Sequence, residues 1–232
     1  MEHVLIITGG HLNMEFADYY RKTLSMDKVF AVDKGLEYAD QLGIVPDYII
    51  GDFDTVDCKL LAKYEKQIVE HEIDAVLERH PAKKDASDTE LALRAAVSLG
   101  AKQITIIGAT GTRIDHVLAN LGLLLQAEQQ GVEVSIVDET NRIRLLSDYG
   151  LRELEVLRQE QHGNYISLIP LTEQVKGVTL EGVMYPLYQT TIYAGSSLTV
   201  SNQIVEEKLR VTLENGKMLF IESRDSYGVR EV

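Results

Sequence analysis

The stretch "YIIGDFDTVD", residues 48–57, places Asp52, Asp54 and Asp57 within six positions, directly after an apolar run. In an extended segment Asp52 and Asp54 project to the same side, because strand side chains alternate with period two. Two carboxylates held side by side repel, and one takes up a proton unless a cation lies between them. The pair is therefore either splayed into water or built to hold a metal.

Two more segments carry residues of chemical interest. "KKDASDTE", residues 83–90, is a second acidic cluster, and Asp88 falls in the first turn of a helix, where the helix dipole favours a negative charge. That position alone accounts for an aspartate, and Lys83 and Lys84 can be simply solvated. "GATGTRIDH", residues 108–116, is a loop that follows a strand and opens a helix. Gly108, Thr110 and Gly111 expose backbone N–H groups at a positive helix end, which suits phosphate. Arg113 beside them brings a planar cation that forks onto phosphate, and Asp115 can orient it. The loop is neither a Walker A motif nor a dinucleotide fingerprint.

The elements that must position these residues alternate over the first 140 or so positions. Strands are expected at "HVLIIT", "KVFAVD", "DYII", "QITIIG" and "VEVSIV", with a short one near Ala75–Leu77. Helices are expected at "MEFADYYRKTL", "GLEYADQL", from Lys59, at "SDTELALRAAVSLG" and at "IDHVLANLGLLLQAEQQ". Gly43 caps the second of these helices, and Ser87 with Glu90 forms a capping box at the fourth. This alternation specifies a mostly parallel sheet covered by helices. Ligands bind such sheets outside the carboxyl ends of the strands. Those ends carry Gly9-Gly10, Asp33-Lys34-Gly35, Gly51 to Asp54 and Gly108 to Gly111. A single strand-end aspartate or glycine is usually a turn or a cap; their concentration on one rim is what points to a site.

After about Asn141 the helical periodicity fades and short β-type runs follow: "YISLIPL", "GVTLEGV", "QTTIYA", "SLTVSN", "EKLRVTLE" and "KMLFIES". "RVTLENGKMLFIE" reads as a hairpin turning at Asn215-Gly216. The expected organisation is an α/β domain over residues 1–140 and an antiparallel β-sandwich over 141–232.

Composition narrows the partners. The chain has 232 residues, of which 45% are hydrophobic, so a real core is available. Its net charge of −13 argues against nucleic acid or an anionic membrane as the main partner. No run approaches the ~18 apolar residues of a membrane span. The N-terminus "MEHVLIITGG" reads as a first strand rather than a signal peptide. The single cysteine, Cys58, excludes an internal disulfide framework and favours a reducing compartment, the cytoplasm.

Taken in order, "VDKGLEYADQLGIVPDYIIGDFDT", "KDASDTELAL", "GATGTRIDHVLANL", "SNQ" and "GKMLFIESRD" resemble the thiamine pyrophosphokinase family over almost the whole chain. The resemblance implies transfer of a pyrophosphoryl group from ATP to thiamine with release of AMP. It also implies a homodimer whose sites are shared between subunits. Asp52, Asp54 and Asp88 then correspond to magnesium-binding acids, and Asp33 to an acid of the same site. Gly108, Thr110, Gly111, Arg113, Lys34 and Lys84 fall to the ATP side. Asp115, His116, Ser201 and Asn202 fall to the thiamine side. Lys34 stands where many relatives have a second glycine. The chain has no tryptophan, so Tyr185 is the candidate aromatic for the thiamine pocket. On this reading the opening carboxylates hold Mg2+ together with substrate phosphates.

Two rivals remain open at the level of sequence. The apolar strand followed by Asp52-x-Asp54 also fits a haloacid-dehalogenase phosphatase, with Asp52 as nucleophile and Asp54 as acid/base. That reading lacks a later acidic metal motif and leaves the C-terminal sandwich unexplained. A non-catalytic nucleotide or thiamine sensor on the same scaffold would not need the complete acidic set.

Overall fold

A computed structural model describes residues 1–81, 83 and 85–225. The chain divides into two compact units, Met1–Glu139 and Thr140–Val232.

The first unit alternates strand and helix: β1 (His3–Ile7), α1 (Met14–Thr23), β2 (Lys28–Val32), α2 (Gly35–Gln41), β3 (Tyr48–Gly51), α3 (Cys58–Val69), β4 (Val76–Arg79), α4 (Asp88–Ser98), β5 (Gln103–Ile107), α5 (Ile114–Glu128) and β6 (Glu133–Val137). Helix starts are set by short polar side chains that take up otherwise orphaned N–H groups. Asn13 accepts from Phe16 N, Asp57 from Lys59 N and Leu60 N, and Ser87 from Glu90 N. Only the serine half of the expected capping box is seen, because the Glu90 carboxylate instead accepts from Arg94 and Gln126.

The strands of this unit are parallel and run in the order β4-β3-β2-β1-β5-β6. From β1 the chain winds outward through β2, β3 and β4, then returns to lay β5 on the other side of β1. Because successive crossovers wind the same way, α1, α2 and α3 fall on one face. Their buried Ala17, Leu36, Ala39, Leu61 and Tyr64 share one core with Leu5, Ile7, Val29, Ala31 and Ile49. The return helix α4 packs on β1, β2 and β3. The direction reversal creates a switch point between β1 and β5, where doubly wound sheets bind ligands.

The second unit holds β7 (Asn141–Ser147), β8 (Glu153–Leu157), a 3-10 turn (Arg158–Glu160), β9 (Tyr165–Pro170), β10 (Gln174–Glu181), β11 (Leu187–Tyr193), β12 (Lys208–Thr212) and β13 (Lys217–Ser223). Antiparallel pairings give the orders β7-β13-β9 and β11-β10-β12-β8. Leu146, Ile166, Leu168, Met218 and Phe220 from the first set share a core with Val156, Val175, Val178, Leu180, Ile192, Leu209 and Val211 from the second. Two antiparallel sheets therefore enclose one apolar layer, as a sandwich does.

Three details depart from the sequence reading. β12 and β13 are not a hairpin, since β12 pairs with β8 and β10 while β13 pairs with β7 and β9. The Asn215-Gly216 turn instead carries the chain from one sheet to the other. "SLTVSN" is a loop joined to the sheets by single bridges, Ile166 with Asn202 and Val183 with Ile204 nearby. β7 and β8 are strands that the pattern did not announce.

Candidate active site

The acidic loop begins where β3 stops, at Gly51. Asp52 and Asp54 do not continue an extended strand, because Phe53 between them adopts φ +61. Their aim therefore comes from a left-handed turn and not from period two. The Asp54 N–H donates to Asp52 Oδ1 at 3.1 Å, an Asx-type closure that holds the two residues together. Asp33, at the end of the neighbouring β2, is itself left-handed with φ +47. Its Oδ1 accepts the Phe53 N–H at 3.5 Å. Gly51 is required for this approach, since a Cβ there would lie 2.0 Å from Asp33 Oδ1.

The other half of the rim lies at the switch point. The Gly10 N–H donates to Gly108 O at 2.8 Å and the His11 N–H to Thr110 O at 2.9 Å. A Cβ at Gly10 would meet Gly108 O at 2.3 Å and Thr110 O at 2.5 Å, so these backbones pack without side chains between them. Asn120 Nδ2 ties Ala109 O from α5 at 2.7 Å, and Tyr38 Oη donates to Gly10 O at 2.9 Å. The loop therefore enters α5 on a fixed path. Arg113 precedes the helix and forks onto Asp115, Nη2 to Oδ2 at 2.6 Å. Both side chains are exposed. The bonded guanidinium holds the Asp115 carboxyl below its usual range, and the carboxylate raises Arg113 in turn. His116 is exposed on the first turn of α5.

The acid pair and this loop end strands three places apart, β3 and β5, with β2 and β1 between them. At ~4.8 Å per strand that is roughly 14 Å, within reach of one extended nucleoside triphosphate. Asp88 is half-buried in the first turn of α4, and Lys34 is exposed at the start of α2. Lys84 lies outside the described residues. Among the described residues no group of three or more His, Cys, Asp or Glu side chains is gathered closely enough to hold an ion. The available donors, Asp52 and the exposed Asp54 with Asp33 alongside, are hard carboxylate oxygens at adjacent strand ends. That set fits magnesium, which binds through one or two carboxylates plus phosphates and water rather than an all-protein cage.

Tyr185, Ser201 and Asn202 belong to the second unit. Asn202 is 6% exposed and its amide is engaged within the protein. Oδ1 accepts from Tyr185 N at 3.0 Å and Gln203 N at 2.9 Å, and Nδ2 donates to Tyr185 O at 2.8 Å. Asn202 thus sets the backbone of Tyr185, whose side chain is exposed. Ser201 is left-handed and exposed, and its N–H donates to Ser167 Oγ. Sequence reasoning missed the end of β4, where Arg79 lies against Phe53 and the His80 N–H donates to Gly51 O at 2.9 Å. Only strand pairing brings these residues to the acidic loop, so no local motif could have found them.

Comparison with known proteins meets this geometry. The model of the thiamin pyrophosphokinase catalytic domain matches residues 20–136. The model of the vitamin B1 binding domain of the same enzymes matches residues 152–218. The thiamine pyrophosphokinase of Bacillus subtilis (strain 168) is 31% identical over 225 residues, 97% of this chain and 100% of that protein. The chain belongs to the thiamin pyrophosphokinase family. Crystal structures of family members agree in fold. That of the Bacillus subtilis thiamine pyrophosphokinase superposes with a TM-score of 0.83 at 28% identity, covering 96% of this chain and 99% of that one. That of the Geobacillus thermodenitrificans thiamin pyrophosphokinase gives 0.80 at 29% identity, covering 99% and 100%. Thiamin pyrophosphokinases are enzymes, and this membership favours neither the phosphatase nor the sensor reading. No helix among the described residues is long and apolar enough to cross a membrane.

Proposed function

We propose that this chain transfers the pyrophosphoryl group of ATP to the hydroxyl of thiamine, giving thiamine diphosphate and AMP. The observation that carries the reading is the rim itself. A carboxylate pair at the end of β3 and a backbone-lined loop at the end of β5 flank the switch point, in a chain of this family.

The thiamine hydroxyl oxygen forms a bond to the β-phosphorus as the bond to the α-phosphate oxygen breaks, and AMP leaves with that oxygen. The hydroxyl proton passes to solvent or to a rim carboxylate. Such transfers depend mainly on positioning and on charge stabilisation. Asp52, Asp54 and Asp88 would hold magnesium, with Asp33 an acid of the same site, and the ion when bound would neutralise charge on the phosphates. The Gly108 to Gly111 loop offers N–H groups to phosphate oxygens at the start of α5. Arg113 exchanges its Asp115 partner for phosphate, or shares the two. Lys34 and Lys84 add positive charge on the ATP side. Asp115, His116, Ser201 and Tyr185 face thiamine, with Asn202 holding Tyr185 in place.

The working unit is a homodimer in the cytoplasm, with each site drawn from both subunits. Refolding a mixture of inactive Asp52→Asn and inactive Tyr185→Ala chains then restores about a quarter of wild-type activity, since about half the dimers are mixed and each holds one intact site. A mixture that stays inactive, with mixed dimers present, overturns the sharing. The activity is tested by incubating the purified protein with ATP, magnesium and thiamine and separating thiamine diphosphate and AMP by chromatography. Release of free phosphate from a phosphoester, without thiamine diphosphate, would return the phosphatase reading.

A further inference from the structure

The acid pair is aimed by a residue with no chemistry of its own. Phe53 holds φ +61, a conformation a bulky side chain keeps only when its surroundings fix it. Three contacts do so. Its ring is 6% exposed and belongs to the core beneath α1, α2 and α3. Its N–H reaches the Asp33 carboxylate, itself on a left-handed residue. The guanidinium carbon of Arg79 lies 5.2 Å from the ring centroid, within cation–π range.

Arg79 is placed for this contact from two directions. It ends β4 directly opposite Gly51, the last residue before the acids. Its Nη2 donates to Glu65 Oε1 on α3 at 3.0 Å, which holds the guanidinium from behind. The next residue, His80, fixes the strand end by its N–H bond to Gly51 O. An exposed Arg–Glu pair by itself contributes little. Here the same guanidinium also covers the residue whose backbone aims two carboxylates.

We propose that Arg79 is a positioning residue for the acid pair: braced by Glu65, it holds the ring of Phe53 and so keeps the turn that orients Asp52 and Asp54. The proposal rests on reading that pair as the acids of the diphosphate transfer. Its first test is independent of that reading.

Amide hydrogen exchange in the metal-free protein reads the turn directly. Arg79→Ala is expected to speed exchange at Phe53 and Asp54 by about two- to fivefold, the equivalent of one exposed cation–π contact, with β1 unchanged. Arg79→Lys recovers most of the protection, because an ammonium can occupy the same ring face. Glu65→Gln, which leaves the arginine but loosens it, shifts exchange the same way by less, and serves if Arg79→Ala does not fold. Arg21→Ala, which removes a comparable surface pair with Asp18, leaves residues 52–54 unaffected. In turnover, Arg79→Ala lowers kcat by roughly tenfold and raises the magnesium needed for half-maximal rate, while the KM for thiamine holds. Unchanged exchange at 53 and 54, or a lysine variant no better than alanine, overturns the positioning role. Absence of thiamine diphosphate from the wild-type protein would overturn the activity and leave the exchange result standing.

Discussion

Asn202→Ala separates a scaffold from a ligand contact, because the wild-type side chain makes three hydrogen bonds inside the second unit. Truncation strands the Tyr185 N–H, the Tyr185 carbonyl and the Gln203 N–H. At ~0.5–1.5 kcal/mol net for each bond the loss lies between about 1.5 and 4.5 kcal/mol. Tyr185 is 65% exposed, so water can replace part of what is lost, and about 2 kcal/mol is expected. The backbone bonds of residue 202 to Ile166, and that of Met184 to Gln203, survive the change, so the loop loosens without detaching. For a chain of this size the melting temperature should fall by about 4–8 °C. Scanning calorimetry measures the fall, and hydrogen exchange should place it in residues 183–203. The KM for thiamine should rise as Tyr185 loses its fixed backbone, while the KM for ATP stays. Asn202→Asp should be no better than alanine. It keeps an acceptor for two N–H groups but sets a charged oxygen against the Tyr185 carbonyl that Nδ2 now serves at 2.8 Å. An alanine variant that melts within about 1 °C of wild type, yet binds thiamine poorly, would refute the scaffold argument and make Asn202 a direct contact.

Asp54→Asn keeps volume and removes a charge from an exposed loop residue, so melting should hold while turnover falls by ~100-fold or more; near-normal rates at saturating magnesium would remove Asp54 from the ligand set. Glu222 is fully buried, and burial alone would raise its carboxyl. Hydrogen bonds from Arg142, the charges of Arg144 and Arg142 and the His162 N–H outweigh burial and hold it below the ordinary 4.5. The stability it contributes is therefore complete above about pH 4.5 and lost as pH falls through its lower folded value. Denaturant titrations from neutral to acid pH should show Glu222→Gln costing about 3 kcal/mol at pH 7, the low end for a broken buried pair because both guanidiniums reach solvent, with a flatter acid limb than wild type; equal acid limbs would exclude Glu222 as the titrating group.

The α/β half was legible because each of its signals is local. Caps such as Ser87 lie next to the helix they start, and apolar runs such as "VLII" announce strands buried on both faces. The sandwich was harder to read where polar residues face inward. Arg142 and Arg144 break the apolar alternation of β7, yet they sit on the same face as Phe220 because Glu222, some 80 positions later, takes up their charge. No window along the sequence contains that partner. The same limit explains the misread hairpin. Asn215-Gly216 marks a turn correctly, but which sheet the next strand joins depends on β7 and β9, not on the turn.

The acidic motif shows the limit at the site itself. Asp52-x-Asp54 after an apolar strand is compatible with two enzyme classes, because the motif names the chemistry and leaves the geometry open. The geometry comes from the neighbours on either side in the sheet. Asp33 directly follows β2 and takes the Phe53 N–H; Arg79 ends β4 and covers the Phe53 ring. Parallel strands bring their carboxyl ends to one edge, so residues 20 to 30 positions apart become the walls of one turn. A chain with the same motif but with other residues just after β2 and at the end of β4 would carry the acids without this aim. On the proposed function, the identities of residues 33 and 79 therefore matter to the aim of the acids alongside the spacing of the aspartates.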